Sequence, residues 1–260
     1  MLRSRRKHHE SGRVDAATRT GGVLGVSDFQ ARSVLVTGAA GGIGQAIARA
    51  FAAAGAAVVG IDRIAGSVCG IAVIGADLLN EQEVIGAVAA GAAQLGTIDV
   101  LVNCAGTDGE NPLAGFDVKD FDRIFGVNVR GTILVSREAL KHMKAGARII
   151  NIASELAFIG RSGQACYSAS KGAILTLTRS WARELGPGIQ VNAIAPGPID
   201  APMLRWESIT EEVRKEEVRN PAGRIGRPDE VANAVLFLAH PRTTYITGQC
   251  LNVDGGVAMH

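Results

Sequence analysis

The chain has 260 residues, of which 47% are hydrophobic, and a formal net charge of +2. This length suffices for one sizeable α/β domain and is too short for two ordinary domains with long linkers. The small net charge argues against nucleic acid or a membrane surface as the main partner, and no apolar run reaches the ~18 residues of a membrane span. The four cysteines include no C-x-x-C pair, so neither a metal site nor a disulfide framework is predicted, and buried thiols in a reducing cytoplasm are expected.

The first 30 residues have neither helical nor strand periodicity and are rich in Arg, His, Ser and Gly. Residues 1–22 hold six basic and two acidic side chains. The sequence predicts a basic, disordered tail over residues 1–30 and a folded domain over residues 31–260. A nucleic-acid-binding arm and a targeting peptide are the weaker alternatives, and the segment lacks the apolar stretch of a secretory signal.

The folded part begins with a strand, a glycine-rich turn and a helix. Residues 33–37 form an apolar, β-branched run, residues 38–44 hold four glycines, and residues 45–54 have a helical composition. A glycine turn that leads into a helix offers unpaired N–H groups and the positive end of the helix dipole to a diphosphate. The pattern indicates a dinucleotide site with these candidate residues: Gly38, Gly42, Ile43 and Gly44.

A second strand over residues 56–61 leads to Asp62, about 20 residues past the glycines. An acidic side chain at that place can accept hydrogen bonds from the adenosine ribose and would repel a 2′-phosphate. Arg63 follows directly and could attract such a phosphate. The sequence favours NAD over NADP as the cofactor.

Further strands and helices alternate along the chain. Strand-like runs lie at residues 71–74, 99–102, 148–153, 190–195 and 249–256, the last including a turn, and helical segments at 80–94, 121–144 and 167–185. Strands joined by helical crossovers lie parallel and are covered on both faces. We therefore predict a single-domain Rossmann fold of the α/β class, with a doubly wound, seven-stranded parallel sheet and helices on both faces.

Tyr167 and Lys171 stand four residues apart in a predicted helix, which places them on one face, one turn from each other. A nearby ammonium favours the phenolate and so lowers the pKa of tyrosine from its ordinary value of roughly 10. A tyrosine tuned in this way can pass a proton to or from an alcohol or carbonyl oxygen. The spacing alone also fits a chance pair on a helix surface, so the neighbouring motifs decide between the two interpretations.

With these motifs in place, residues 32–256 resemble the classical short-chain dehydrogenase/reductase family. The segments that carry the resemblance follow the family's order and spacing: the glycine turn at 37–44, Asp77, Asn103-Cys104-Ala105-Gly106, Asn128, Ser154, Tyr167 with Lys171, and Pro196-Gly197. The resemblance implies an NAD-binding catalytic domain over residues 31–260 and, as is usual in the family, a homotetramer.

By this resemblance, four residues form the catalytic set: Asn128, Ser154, Tyr167 and Lys171. In the family the serine bonds the reacting oxygen, the tyrosine transfers the proton, the lysine also holds the nicotinamide ribose, and the asparagine holds a water and kinks its helix. For Asn128 the alternative is a core amide satisfied by backbone, and for Ser154 it is an ordinary turn residue.

The resemblance also implies cofactor contacts beyond the glycine turn and Asp62. The residues concerned are Asp77, Leu78, Asn103, Ala105, Gly106, Pro196, Gly197 and Ile199, together with Tyr167 and Lys171. Asp77 would contact the adenine amino group, or alternatively cap the helix that follows. Ala201 stands where the family usually has a threonine, so one cofactor hydrogen bond of about 1 kcal/mol is expected to be lost or replaced by water.

Residues 200–222 are predicted to form a helical lid over the substrate. Its apolar positions are Met203, Leu204, Trp206, Ile209 and Val213. With the apolar run at 157–159 and Cys166, the lid suggests a partly apolar substrate. Glu155, next to Ser154, has no assigned role and is expected to face solvent.

These features favour an NAD-dependent oxidoreductase that transfers a hydride between nicotinamide and a secondary alcohol or ketone, with Tyr167 as general acid/base. The alternative is an NADPH-dependent reductase of 3-oxoacyl thioesters of the acyl-carrier-protein type, against which Asp62 argues. A non-catalytic NAD-binding sensor is disfavoured because the Ser–Tyr–Lys set is complete. No metal, nucleic acid or membrane partner is predicted, and the expected location is the cytoplasm.

Overall fold

The computed structural model describes residues 28–110 and 112–259, so most of the predicted tail, residues 1–27, lies outside the described residues. Phe29 is only 2% exposed. Its ring contacts Phe51 and His240, with centroids 5.0 and 5.9 Å away. The tail predicted to run to residue 30 is therefore too long at its inner end, because Phe29 belongs to the core.

One eight-stranded sheet organises the described residues. Its strands are β1 (Ser33–Thr37), β2 (Ala57–Asp62), β3 (Gly66–Val68), β4 (Ile71–Gly75), β5 (Val100–Asn103), β6 (Arg148–Ile152), β7 (Gln190–Pro196) and β8 (Cys250–Val253). Their order is β3-β4-β2-β1-β5-β6-β7-β8, and the pairs from β4 to β8 are parallel. The order reverses between β1 and β5, which is where a doubly wound sheet opens a ligand cleft at its carboxyl edge.

The difference from seven predicted strands is the short edge strand β3, which pairs antiparallel with β4. Between the two, Cys69 and Gly70 have φ angles of 51° and 82° and turn the chain back. Three residues are too few for a hydrophobic period to appear in the sequence. The doubly wound Rossmann architecture itself is as predicted.

The described residues form eight α-helices around the sheet. They are α1 (Gly42–Ala53), α2 (Glu81–Leu95), α3 (Val118–Phe125), α4 (Thr132–Leu140), α5 (Leu156–Ile159), α6 (Ala165–Leu185), α7 (Glu211–Glu217) and α8 (Pro228–Ala239). Every residue of β1 is buried, because Val34 and Val36 pack with α1 and α8 while Leu35 packs with α2 and α4 on the other face. Within the described residues, no helix combines the length and apolarity that a membrane span needs.

The long helix predicted over residues 121–144 is interrupted. Gly126–Gly131 form a π-helical segment between α3 and α4. In this segment the backbone oxygen of Asn128 accepts a hydrogen bond from Thr132 Oγ1 at 2.8 Å. Such segments are frequent at functional sites, and this one agrees with the local kink that the family resemblance implies.

The segment over residues 200–222 is not one helix. Pro202–Leu204 and Trp206–Ser208 are single 3₁₀ turns, and α7 follows them. Arg205, between the two turns, has a φ of 51°, which ends the first turn. The helical lid predicted here is therefore built from short helical pieces, because the left-handed backbone of Arg205 prevents one continuous helix.

Candidate active site

The glycine turn joins β1 to α1 at the carboxyl edge of the sheet. Gly38 has a φ of 68°, and a Cβ there would lie 2.8 Å from the Cα of Ala105. Thr37 Oγ1 accepts hydrogen bonds from the backbone N–H groups of Cys104 and Ala105, both at 3.1 Å. The segment after β5 is thereby held against the turn, and position 38 has no room for a side chain.

The N-terminus of α1 fits a diphosphate. Gly41 is the N-cap residue of α1, and no side chain of the described residues forms a capping hydrogen bond there. The first turn of the helix carries no acidic residue. Its N–H groups and the positive end of its dipole therefore meet no competing side chain. A Cβ on Gly44 would lie 2.0 Å from the oxygen of Gly38, so only glycine allows a turn this tight.

Ala201, where the family usually has threonine, lies against the same turn. A Cβ on Gly42 would be 2.9 Å from the Cβ of Ala201 and from Cδ of Pro202. Ile43 packs against the core beneath. Position 201 therefore presents a methyl group, not a hydroxyl, beside the start of α1.

Asp62 ends β2 beside the glycine turn. Its Oδ2 accepts a hydrogen bond from the backbone N–H of Ala40 at 3.0 Å. Arg63, the next residue, is exposed. A carboxylate, and not a cation, is thus the charged group fixed against the turn.

Asp77 lies just after β4 at the same edge of the sheet. Its Oδ1 accepts from the backbone N–H of Leu79 at 2.9 Å, and Leu78 is buried. The side chain of Asn80 caps α2. The alternative that Asp77 caps this helix is wrong, because Asn80 stands closer to the first helical residue.

Asn103, the last residue of β5, turns its side chain into the interior. Its Nδ2 donates to Ser136 Oγ and to Asn151 Oδ1, each at 2.9 Å. Asn151 in turn donates to Thr178 Oγ1 at 2.9 Å. These side chains join β5, β6, α4 and α6 beneath the cleft, and the amide nitrogen of Asn103 is used within this network. Sequence reasoning missed this network because its members lie far apart in the chain.

The chain after β7 completes the edge. The oxygen of Pro196 accepts from the N–H of Glu155 at 3.0 Å. A Cβ on Gly197 would lie 2.7 Å from the Cα of Asp254, and Ile199 is 5% exposed. The structure therefore brings these three predicted cofactor residues to the carboxyl ends of β6 and β7.

Asn128 lies in the π-helical segment and is 1% exposed. Its Oδ1 accepts from the N–H of Thr107 at 2.8 Å, and its Nδ2 donates to the oxygen of Thr107 at 2.9 Å and to Ser170 Oγ at 3.0 Å. The amide thus ties α6 to the chain after β5. These bonds agree with the core-amide alternative.

Lys171 is 4% exposed, and its Nζ donates to the backbone oxygen of Ile152 at 2.8 Å. Burial lowers the pKa of Lys171 from 10.5 to about 8. A Cβ on Gly106 would lie 3.4 Å from this Nζ and 3.5 Å from Asn128 Oδ1. The predicted lysine and asparagine therefore meet at Gly106.

Tyr167 stands in the first turn of α6, and the Nζ of Lys171 is 5.7 Å from the centroid of its ring. Burial raises the pKa of Tyr167, the charge of Glu155 raises it further, and the neighbouring Ser154 hydroxyl acts in the opposite direction. The predicted lowering of this pKa by Lys171 is wrong for this arrangement, because lost hydration outweighs a cation that is bonded to Ile152. A phenol with a raised pKa is protonated at neutral pH, which suits donation to a carbonyl oxygen.

Ser154 follows β6 and is 5% exposed. Its hydroxyl donates to Glu155 Oε2 at 2.7 Å and accepts from the N–H of Leu156 at 3.2 Å. Glu155 is 6% exposed, so the expectation that it faces solvent is wrong. The chain enters α5 directly after β6, which turns both side chains inward, and nothing in the sequence distinguishes Glu155 from a surface glutamate.

The side chains of Ser154, Tyr167 and Lys171 thus lie together at the edge of the sheet that carries the glycine turn. Such a site can pass a proton to or from an alcohol or carbonyl oxygen held next to a dinucleotide. The fold and this site define a nicotinamide-dependent oxidoreductase.

Known proteins resemble the chain over most of its length. The family model described as Enoyl-(Acyl carrier protein) reductase matches residues 38–258. The chain is 40% identical over 251 residues to the short-chain reductase protein NovJ of Streptomyces niveus, with 89% of this chain and 95% of that protein covered. It is 40% identical over 244 residues to 2-(R)-hydroxypropyl-CoM dehydrogenase of Xanthobacter autotrophicus (86% and 97% covered), and 36% identical over 249 residues to the 3-oxoacyl-[acyl-carrier-protein] reductase FabG of Thermotoga maritima (89% and 99% covered).

Solved structures are also similar to the chain over most of its length. Ligand-free aldohexose dehydrogenase (AldT) of Thermoplasma acidophilum has a TM-score of 0.84 and 33% identity, with 91% of this chain and 97% of that chain covered. The 3-ketoacyl-(acyl-carrier-protein) reductase of Brucella melitensis, complexed with NADH, has a TM-score of 0.81 and 34% identity, with 88% and 99% covered. The chain belongs to the short-chain dehydrogenase/reductase family, and it is an oxidoreductase that acts on CH–OH groups.

Proposed function

We propose that the protein is an NAD-dependent oxidoreductase that transfers a hydride between nicotinamide and a secondary alcohol or ketone, with Tyr167 as general acid/base. The observation that carries the proposal is the placement of two hydroxyl groups at one strand end: Ser154 follows β6, and Tyr167 lies on α6 one helical turn from the buried Lys171, whose Nζ donates to the last residue of β6 at 2.8 Å. A hydroxyl donor pair of this kind can hold and protonate one substrate oxygen.

Each member of the set has one task in this proposal. Tyr167 donates its proton to a carbonyl oxygen during reduction and accepts the alcohol proton during oxidation. Ser154 fixes the reacting oxygen, Lys171 holds the nicotinamide ribose, and Asn128 supports a water beside the lysine. Bound nicotinamide supplies or accepts the hydride and, when oxidised, a positive charge beside the hydroxyl.

The cofactor residues follow the edge of the sheet. Those proposed for the diphosphate are Gly38, Gly42, Ile43 and Gly44, and those proposed for the adenosine half are Asp62, Asp77 and Leu78. Those proposed beneath the cofactor and at the nicotinamide are Asn103, Ala105, Gly106, Pro196, Gly197 and Ile199, with Tyr167 and Lys171.

NAD is preferred over NADP in this proposal because of Asp62. Its carboxylate is fixed beside the glycine turn by the N–H of Ala40. It can accept hydrogen bonds from ribose hydroxyls there, and it would repel a 2′-phosphate. Arg63, the next residue in the chain, is a cation that could counter this repulsion, and its side chain is exposed.

The substrate is proposed to lie between α5 and residues 200–222, which act as a lid. Cys166 is buried near this region, and Met203 and Val213 of the lid are 44% and 41% exposed. Apolar side chains on both sides favour a partly apolar alcohol or ketone and exclude water from the reacting carbon.

The second candidate function is an NADPH-dependent reduction of 3-oxoacyl thioesters of the acyl-carrier-protein type. The similarity to 3-oxoacyl-[acyl-carrier-protein] reductase FabG of Thermotoga maritima favours it. The carboxylate of Asp62 argues against it, because NADPH carries the 2′-phosphate.

A substrate panel with both cofactors tests these proposals. The full chain is mixed with secondary alcohols and NAD or NADP, and with ketones and an acetoacetyl thioester and NADH or NADPH, while the absorbance of the reduced nicotinamide is followed. We expect kcat/KM to be highest for an alcohol–ketone pair with NAD(H). A maximum with NADPH and the thioester would favour the second candidate, and no turnover with any member would overturn both.

A homotetramer and a cytoplasmic location complete the proposal. Partly exposed apolar side chains on α3, α8 and β8 support further subunit contacts, namely Val118, Phe121, Phe237 and Leu251. The four free cysteines fit a reducing compartment. Light scattering would give the mass of four chains, and a monomer at micromolar concentration would contradict the tetramer.

A further inference from the structure

Glu155 is an acidic side chain inside the candidate active site without a place in the mechanism above. It follows Ser154 directly, is 6% exposed, and its N–H is tied to the oxygen of Pro196. Buried carboxyl groups are rare unless they are paired or hydrogen-bonded, and each one calls for an explanation.

The hydroxyl of Ser154 has one proton, and it donates that proton to Glu155 Oε2 at 2.7 Å. One proton cannot serve both this carboxyl group and a substrate carbonyl. One of the two lone pairs of the oxygen is used by the N–H of Leu156, so one remains.

The charges that face Glu155 come from three elements. Arg161, in the chain before α6, forms an ion pair with Glu217 at 2.6 Å, and the side chain of Glu217 on α7 is only 4% exposed. Tyr167 faces Glu155 from α6. The pKa of Glu155 is raised to about 7, mainly by burial and to a smaller extent by the charge of Glu217, while the hydrogen bond from Ser154 and the charge of Arg161 act in the opposite direction.

We propose that Glu155 is a positioning residue that sets the direction in which the Ser154 hydroxyl donates. When Glu155 is ionised, Ser154 donates to the carboxylate and offers its remaining lone pair to a substrate alcohol. When Glu155 is protonated, the carboxylic acid donates to the Ser154 oxygen, and the serine proton turns to a substrate carbonyl. The inference rests on the proposed function, since it assigns one form of Glu155 to each substrate of that reaction.

The two forms differ by one proton taken from solvent, and no covalent bond to carbon changes. The selectivity therefore concerns binding of the two ligands and leaves the equilibrium of the reaction untouched. Alcohol should bind more tightly as pH rises through about 7, and ketone more tightly as pH falls through it.

Dead-end complexes measure this directly. The probes are the best secondary alcohol of the substrate panel and the ketone formed from it. The alcohol is titrated into the enzyme saturated with NADH, and the ketone into the enzyme saturated with NAD, where neither reacts. Across pH values from about 5 to about 10, we expect the Kd of each to change by about fivefold, in opposite senses, which is the worth of one hydrogen bond.

Glu155→Gln removes the ionisation and keeps the shape and an acceptor for Ser154. Its two Kd values should be flat through neutral pH. Glu217→Gln removes a buried negative charge that faces Glu155 and frees Arg161 from its ion pair, so that Arg161 acts on Glu155 alone. The midpoint of the pH dependence of the two Kd values should therefore move to lower pH. Glu211→Gln, an exposed acid on the same helix, is the matched control and should leave the midpoint unchanged.

Outcomes separate this inference from the function on which it rests. If the enzyme turns over substrate but the two Kd values of the wild type do not change with pH, the positioning role is overturned and the proposed function is not. The same holds if Glu155→Gln keeps the pH dependence of Kd seen in the wild type. If no member of the substrate panel is turned over, the proposed function itself is contradicted, and the role of Glu155 in it falls with it. If Glu155→Gln did not fold, as judged by thermal unfolding, the shift in Glu217→Gln would still decide, and an unmoved midpoint would contradict the proposal.

Discussion

The ammonium of Lys171 on α6 donates a hydrogen bond to the backbone oxygen of Ile152, the last residue of β6, at 2.8 Å. Ser154 follows that strand end by two residues, and Tyr167 stands one turn before Lys171 on α6. One strand and one helix therefore fix the three side chains relative to each other. This bond also orients the cation toward the strand end.

The burial of Lys171 predicts a pH-dependent stability. Its pKa falls from 10.5 to about 8 on folding, so between these values the unfolded chain binds a proton that the folded protein lacks. This group therefore makes the free energy of unfolding rise with pH between about 8 and 10.5, by up to about 3 kcal/mol. Urea unfolding at a series of pH values should give this rise as the difference between wild type and Lys171→Met. The exposed Lys144→Met is the control, and a constant difference for Lys171→Met would contradict the prediction.

Replacing Tyr167 by phenylalanine should lower kcat by at least about a hundredfold, because general acid–base catalysis contributes that much or more. The Kd for NAD, measured by fluorescence, should stay within about threefold, since the ring remains. Tyr245→Phe, at a fully exposed position, should change neither value. Unchanged turnover in Tyr167→Phe would end the acid/base role of this residue.

Asp62→Ser should weaken NAD use and shift the preference toward NADP. Losing an ionised hydrogen-bond partner costs about 1.5–3 kcal/mol, so kcat/KM with NAD should fall by about 10- to 100-fold. Arg63→Ala is the paired variant, and it should leave the NAD value unchanged. The prediction fails if the ratio of kcat/KM for NAD and NADP is the same in Asp62→Ser as in the wild type.

Gly38→Ala should lose both stability and NAD affinity. The added Cβ would lie 2.8 Å from the Cα of Ala105, on a backbone with a φ of 68°. We expect a loss of about 1–3 kcal/mol in the free energy of unfolding, measured by urea titration.

Gly86→Ala provides the matched control on α2, where a Cβ has no described neighbour within 4 Å. This substitution should instead stabilise the protein by about 0.5–1 kcal/mol, because alanine is the better helix former. Equal effects of the two substitutions would show that crowding at Ala105 does not matter.

Periodicity and turn chemistry predicted the parallel sheet and the ends of its strands to within one or two residues. The predicted strand over residues 148–153, for example, is Arg148–Ile152, and the helix predicted to open at Tyr167 begins at Ala165. These elements are long and strongly patterned, because both faces of a parallel strand are buried. The short strand β3 and the break at Arg205 carry no comparable signal.

Side-chain direction was the harder part. Asn103 was predicted among the cofactor residues, yet its amide bonds Ser136 and Asn151 in the interior. Glu155 was expected to face solvent and is buried against Ser154. Both orientations depend on residues more than 30 positions away or on the path of the chain after a strand, which no local pattern encodes.

The sequence by itself determined the order of strands and helices, the glycine turn and the spacing of Tyr167 and Lys171, because these follow from local geometry and hydrophobic period. Only the tertiary structure decided the protonation chemistry of the site. Burial raises the pKa of Tyr167 and lowers that of Lys171, the reverse of what their mutual charge alone predicts for the tyrosine. The physical reason is that hydration is lost through packing of the whole domain, whereas a sequence motif records only which charges are neighbours.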